Sequence, residues 1–133
     1  CALPISAAEI RQRYANTPVG ATESVAAPLA ADLGLRLLTP DGFLAAITEG
    51  TDSSARDRAT VADQIAQRQI RVLLFNAQNA TPDVQRVVDA ARAAGIPVVT
   101  ITETPVPADA TFQAWQTAQL RQLADALARG TGA

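Results

Sequence analysis

The sequence predicts a three-layer α/β lobe in which a four-stranded parallel sheet is flanked by helices, and three observations carry that prediction. Short apolar runs rich in Val, Ile and Leu alternate with longer Ala/Arg/Gln-rich stretches of helical period, the order expected of βαβ units. Turn and stop residues, notably Gly34, Pro40-Asp41-Gly42 and Gly95, punctuate the boundaries between them. With 133 residues the chain is long enough for one domain, which by size scaling buries roughly two-thirds of its unfolded surface.

The elements follow in order. Residues 5–15 read as a helix that ends at Asn16, because Pro18 cannot continue it in hydrogen-bonded register. The first strand is 18–22. Ser24 is a suitable cap for a helix running to about Asp32, with Val25, Leu29 and Leu33 at helical spacing and Gly34 as its stop. The second strand, 35-LRLLT-39, is followed by a Pro-Asp-Gly turn and a short helix at Phe43 to Ile47. A polar loop covers 48–54. Ser53 or Ser54 then caps a helix to about Gln69, with Val61 and Ile65 on its buried side and Asp57, Arg58 and Arg68 on its wet side.

The third strand, 70-IRVLLF-75, is the most apolar run and is therefore predicted to be central and buried on both faces. Thr81-Pro82-Asp83 opens a helix with proline at the favoured first position, continuing to Ala94 and stopping at Gly95. The fourth strand is 97–102. After the loop 105-PVPAD-109 a last helix spans Thr111 to about Arg129, with Phe112 and Trp115 packing it onto the sheet and Gly130-Thr131-Gly132 fraying. There are thus four strands and five main helices beside the short one at 43–47. No internal repeat or low-complexity tract interrupts them.

Composition excludes several functions. Net charge is -2 and the 11 basic residues, all Arg, form no block, so no electrostatic footprint points to nucleic acid or an anionic membrane. The longest apolar runs fall far short of the ~20 residues that span a bilayer. There is no His, no Lys and a single Cys at position 1, so a nucleophile could come only from Ser or Thr with no evident base. No GxGxxG or Walker-type loop cradles phosphate. An enzyme is not expected.

The chemistry that remains is two glutamates. Glu23 follows the first strand and Glu103 the last, and in doubly wound α/β domains ligands bind at the carboxyl ends of the strands. Hard and borderline divalent ions accept carboxylate oxygens, and two strand-end loops can converge on one ion. Each glutamate also has a plainer reading: Glu23 as a first-turn acid favoured by the helix dipole, Glu103 as a solvated loop carboxylate before Pro105.

Over residues 5–129 the chain resembles a known family. The segments TPVGATESVAAPLAADLGLRLLTPDGFLAAITEGTD, QIRVLLFNAQNATP and AARAAGIPVVTITET are similar, in collinear order, to the C-terminal lobe of the ZnuA/TroA-like zinc/manganese substrate-binding proteins of ABC transporters. The resemblance implies two α/β lobes joined by one long rigid helix, with a metal ion between them held by two positions from each lobe. Residues 1–16 would then be the end of the interlobe helix and 17–133 the C-terminal metal-binding lobe. It implies metal ligation by Glu23 in ATES, a position that is Glu or His in the family, and by Glu103 in ITET, where Asp is usual. The histidine ligands would lie in a first lobe outside this chain, which on this reading is a fragment that holds metal weakly by itself. The implied cargo is Zn²⁺ or Mn²⁺, the implied partners are that missing lobe and the permease of an ABC transporter, and the implied location is extracytoplasmic.

Further residues have roles to weigh on this reading. Asn76 and Gln78 follow the central strand and could orient a ligand glutamate, or Asn76 could satisfy loop backbone groups. Glu49 and Asp52 lie on the same strand-end side and could face the cleft, whereas Asp52 and Ser53 more often cap the next helix. Members of the family are often lipoproteins acylated on an N-terminal Cys, but Cys1 stands immediately before the joining helix instead of before a first lobe. The opening CALPIS looks like a translated sequencing adaptor, which would make residues 1–6 foreign to the gene. The alternative class is a stand-alone Rossmann-like ligand-binding or signalling domain without catalysis. A phosphoacceptor receiver is disfavoured, because the third strand ends in Asn76 and the chain lacks the required Lys.

Overall fold

The computed structural model describes residues 7–22, 24, 26–76, 81–101, 109 and 111–131. Chain order is α1 (Ala7–Tyr14), β1 (Pro18–Ala21), α2 (Ala26–Asp32), β2 (Arg36–Leu37), α3 (Asp41–Glu49), α4 (Ala55–Ala66), β3 (Val72–Asn76), α5 (Pro82–Ala93), β4 (Val98–Ile101) and α6 (Phe112–Thr131). The four strands form one parallel sheet in the order β2-β1-β3-β4. The predicted α/β class is correct.

Strand β3 lies inside the sheet, as its continuous apolar run requires, and its alternate side chains feed two cores. Val72 and Leu74 join Val19, Ala21, Val99 and Ile101 in a cluster closed by α1, α2 and α6. Leu73 points into the opposite cluster, with Phe43, Ile65, Val84 and Val88 from α3, α4 and α5. The sheet is therefore the middle of three layers. Helix α1 is part of the first core, since Ile10 and Tyr14 are buried there. Arg11 reinforces its seat by donating to the Asp32 carbonyl at the end of α2, through Nε at 2.8 Å and through Nη2.

Helix ends follow one physical rule. At α2, α3 and α5 the chain turns through a left-handed glycine, Gly34, Gly50 and Gly95, and the following amide reaches back to a carbonyl five residues earlier at 2.8 to 2.9 Å. Helix α4 ends the same way through Arg68, at φ 53°, with Gln69 N donating to Gln64 O at 2.8 Å. It accordingly stops at Ala66, three residues before the predicted Gln69. The stretch expected to be a turn plus a short helix is one nine-residue helix, α3. Pro40 is its N-cap, with its carbonyl accepting from Phe43 N at 3.0 Å and Leu44 N at 3.2 Å. Asp41 and Gly42 are thus first-turn residues, since Pro-Asp-Gly suits a helix start as well as a turn. Ser54 caps α4, its Oγ accepting from Asp57 N at 3.0 Å.

Two further expectations are corrected. Phe112 does not pack α6 onto the sheet: it is 60% exposed and meets the half-buried Trp115 edge to face with centroids 5.5 Å apart. A 20-residue helix is about 30 Å long, whereas a four-residue strand covers only about 13 Å. The first turns of α6 therefore outrun the core, and its buried residues are Leu123, Ala124, Ala126 and Leu127.

Nor does the chain fray at Gly130, because α6 continues to Thr131, whose Oγ1 donates to Leu127 O at 2.7 Å. A Cβ on Gly130 would overlap the backbone carbonyl of Arg71, and Arg71 is itself tied to β1 by its amide, which donates to Pro18 O at 2.8 Å. Helix propensity favours alanine there by about 1 kcal/mol, but forcing the helix off a backbone atom costs about 1–3 kcal/mol. The overlap should win, so Gly130→Ala is expected to lower the urea midpoint. A midpoint equal to or above wild type would show that the helix slides freely.

Candidate functional site

The strand order puts a topological switch between β1 and β3: the chain leaves β1 towards β2 on one side, then returns past β1 to form β3. Loops that diverge at such a point leave a crevice at the carboxyl edge, the general ligand position in open α/β sheets. Glu23, Glu103 and Gln78 lie outside the described residues. Their described neighbours define the edge from which each segment departs.

At β1 the edge is laced by threonine hydroxyls. Thr22, 1% exposed, donates its amide to Leu74 O of β3 at 3.0 Å, and its Oγ1 accepts from Asn76 N at 3.3 Å. Ala21 N donates to Thr39 Oγ1 at 2.9 Å in a buried bond. One residue beyond position 23, Ser24 donates its amide to Thr48 Oγ1 at 3.1 Å, and the two hydroxyls lie 2.7 Å apart. The hydroxyl expected to cap α2 is thus engaged with the last turn of α3. In the sequence Thr22 and Thr39 read as more strand, because β-branched residues suit strand ends, and Thr48 reads as part of the polar loop 48–54.

Asn76, the last residue of β3, is buried at 3% exposure. Its amide bonds to Thr22, immediately before Glu23, and its register partner on β4 is Ile101, two residues before Glu103. It therefore stands between the two strands that lead to the two glutamates. Glu49 is the exposed last residue of α3, next to the Thr48 that holds Ser24.

The predicted capping by Asp52 or Ser53 is not found, since Ser54 caps α4. Asp52 instead borders a hollow of about 300 Å³ with Ile47, Gly50, Thr51 and the first residues of α5, Thr81, Pro82 and Asp83. Asp83 pairs with Arg86 at 3.0 Å. Ser53 Oγ is buried without a hydrogen-bond partner. A second hollow, of about 280 Å³, lies between α4 and α5; its wall is mostly apolar, with Phe43, Val61, Ile65 and Val87, and Arg58, Asp83 and Arg86 also line it.

Among the described residues no three Asp, Glu or Cys side chains gather to hold a metal ion. Among them, too, no helix is long and apolar enough to cross a membrane.

Residues 6–126 match the family model of the zinc-uptake complex component A, periplasmic (ZnuA). The chain belongs to the ZnuA family. The match takes in every strand and all but the end of α6, together with the carboxyl edge and positions 23, 49, 76, 78 and 103. No curated protein and no solved structure matches the chain. ZnuA proteins are the periplasmic component of a zinc-uptake complex and are solute-binding proteins, so zinc binding for transport on the extracytoplasmic side is the family's role.

Proposed function

We propose that this chain is the C-terminal lobe of a receptor that captures Zn²⁺ or Mn²⁺ outside the cytoplasmic membrane and delivers it to an ABC permease. Glu23 and Glu103 supply two carboxylate ligands, α1 is the end of the helix that joins the lobes, and a first lobe outside this chain supplies the remaining ligands. The observation that carries this reading is the sheet order. Strands β1 and β4 are parallel and flank β3, so the segments bearing Glu23 and Glu103 leave the same edge. Two strand spacings of 4.7–4.9 Å separate them, roughly 10 Å.

A gap of that size suits two inward-reaching carboxylates sharing one ion, with metal–oxygen bonds of about 2.0–2.2 Å. Asn76 between them would steady the ligands by hydrogen bonding, as groups around metal sites do, and Gln78 and Glu49 are lesser members of the same shell. Two carboxylates leave a four-coordinate zinc half-satisfied, which makes the affinity of this chain low by itself. The choice between zinc and manganese rests with the other ligands and with the stiffness of the cleft.

Paramagnetic Mn²⁺ titrated into the isotopically labelled chain tests the site at low affinity. Amide signals of Thr22, Ser24, Asn76 and Ile101 are expected to broaden first, and the combined Glu23→Ala and Glu103→Ala substitution to abolish that selectivity. Broadening centred on Asp52 and Asp83, or none at the strand ends, would overturn the assignment.

A further inference from the structure

We infer that Thr48 is a positioning residue for the metal ligand at position 23, an inference that rests on the function proposed above. The amide of Ser24 belongs to the peptide unit whose carbonyl is that of Glu23, and a peptide unit is planar and rigid from one Cα to the next. Thr48 Oγ1 accepts from that amide at 3.1 Å and meets Ser24 Oγ at 2.7 Å. On the other side of position 23, Thr22 is held to β3 through both its amide and its hydroxyl. The two neighbours of the ligand are thus anchored to different elements.

The amide bond of Thr22 is sheet structure that any strand end of this kind would have, and its hydroxyl bond adds a second tie to the neighbouring strand β3. The Thr48 anchor is different, because it ties the loop to a helix, through a side chain in the last turn of α3. That turn is itself fixed. Gly50 ends the helix in the left-handed region, its amide donates to Ile47 O at 3.1 Å, and Thr51 N closes onto Ala46 O at 2.8 Å. Phe43 and Ile47 bury the helix against α4 and α5. A threonine at this point transmits the rigidity of α3 to one peptide unit of the ligand loop. The loop between β1 and α2 has no backbone partner of its own at Ser24 N in the described structure, so the hydroxyl takes the place of a sheet ladder.

Supporting groups of this kind contribute 10–100-fold to metal affinity by fixing the ligand without touching the ion. Thr48→Val keeps the shape and removes the hydroxyl; Thr48→Ser keeps the hydroxyl and removes the methyl group. Thr48 is exposed, so neither change should disturb the core. Mn²⁺ is titrated into the 133-residue chain and its Thr48 variants, with amide broadening at Thr22, Ser24 and Ile101 as the readout and thermal unfolding without metal in parallel.

Thr48→Val is expected to raise the apparent Kd about tenfold while leaving the metal-free unfolding midpoint within a few degrees of wild type, and Thr48→Ser to restore wild-type binding. Equal affinity of all three chains overturns the role of Thr48 and leaves the metal site standing. A loss shared equally by the Val and Ser variants overturns it as well, because the hydroxyl is then not the cause. Absence of selective broadening in the wild type overturns the site itself.

Discussion

Replacing Phe43 by alanine is expected to remove about 3 kcal/mol from the stability of the chain, the largest single effect among its core residues. Phe43 is 1% exposed and is the bulkiest fully buried side chain among the described residues. It joins α3 to Val61 and Ile65 of α4, to Val84 and Val88 of α5, and to Leu73 of the sheet. Phe→Ala substitutions in cores cost about 3–5 kcal/mol, part of it the cavity left behind. Phe43 also borders the apolar hollow between α4 and α5, so the vacated space opens towards solvent instead of staying an enclosed void. That places the cost near the lower end. Against a total of 5–15 kcal/mol for an ordinary domain, the melting midpoint should fall by roughly 10 °C, with an unchanged urea m-value if folding stays two-state. Phe112→Ala is the control: at 60% exposure it should change stability by no more than about 0.5 kcal/mol. A similar loss from both would mean that α3 does not anchor that face of the sheet.

The parts of the fold that could be read from the sequence are those decided by local pattern. Continuous apolar runs with helical stretches between them located all four strands, and the run 70–75 was recognisably interior because only a strand covered on both faces tolerates so few polar residues. What depended on distant partners was not legible. Strand β2 was expected over 35–39 but pairs only at Arg36 and Leu37, because Ala21 N donates to the Thr39 hydroxyl where a ladder would have used a carbonyl. The spacing of Phe112 and Trp115 marks one face of a helix without saying where the sheet beneath it ends.

Gly130 reads in the sequence as a frayed end, whereas in the fold the Arg71 carbonyl lies against it. The site divides in the same way. Carboxylates after strands are visible in a sequence because the carboxyl edge is where parallel sheets bind ligands. The threonine bonds that brace that edge are not visible, since they arise from α3 returning to the β1 loop.

In the proposed two-lobe receptor, Glu23→Ala and Glu103→Ala are each expected to raise the Kd for zinc by at least about 100-fold, more than the 10–100-fold carried by a supporting residue. In the proposed site each substitution would take one of four ligands from an ion that prefers four and would also remove a negative charge facing the cation. Glu103→Asp separates those effects. It keeps the charge, shortens the side chain by one methylene, and gives the acid that the sequence resemblance implies is usual at this position. A change of less than about tenfold is therefore expected, since the carboxylate can still reach the ion if the gap between the ends of β1 and β4, roughly 10 Å, is spanned mainly from the Glu23 side. Competition titration against a chelator of known affinity measures all three variants. Unchanged affinity in Glu103→Ala removes Glu103 from the site. If instead Glu103→Asp falls as far as Glu103→Ala, the length of the glutamate sets the geometry, and Glu23 and its Thr48-braced loop stand too far from β4 for a shorter acid to close the gap.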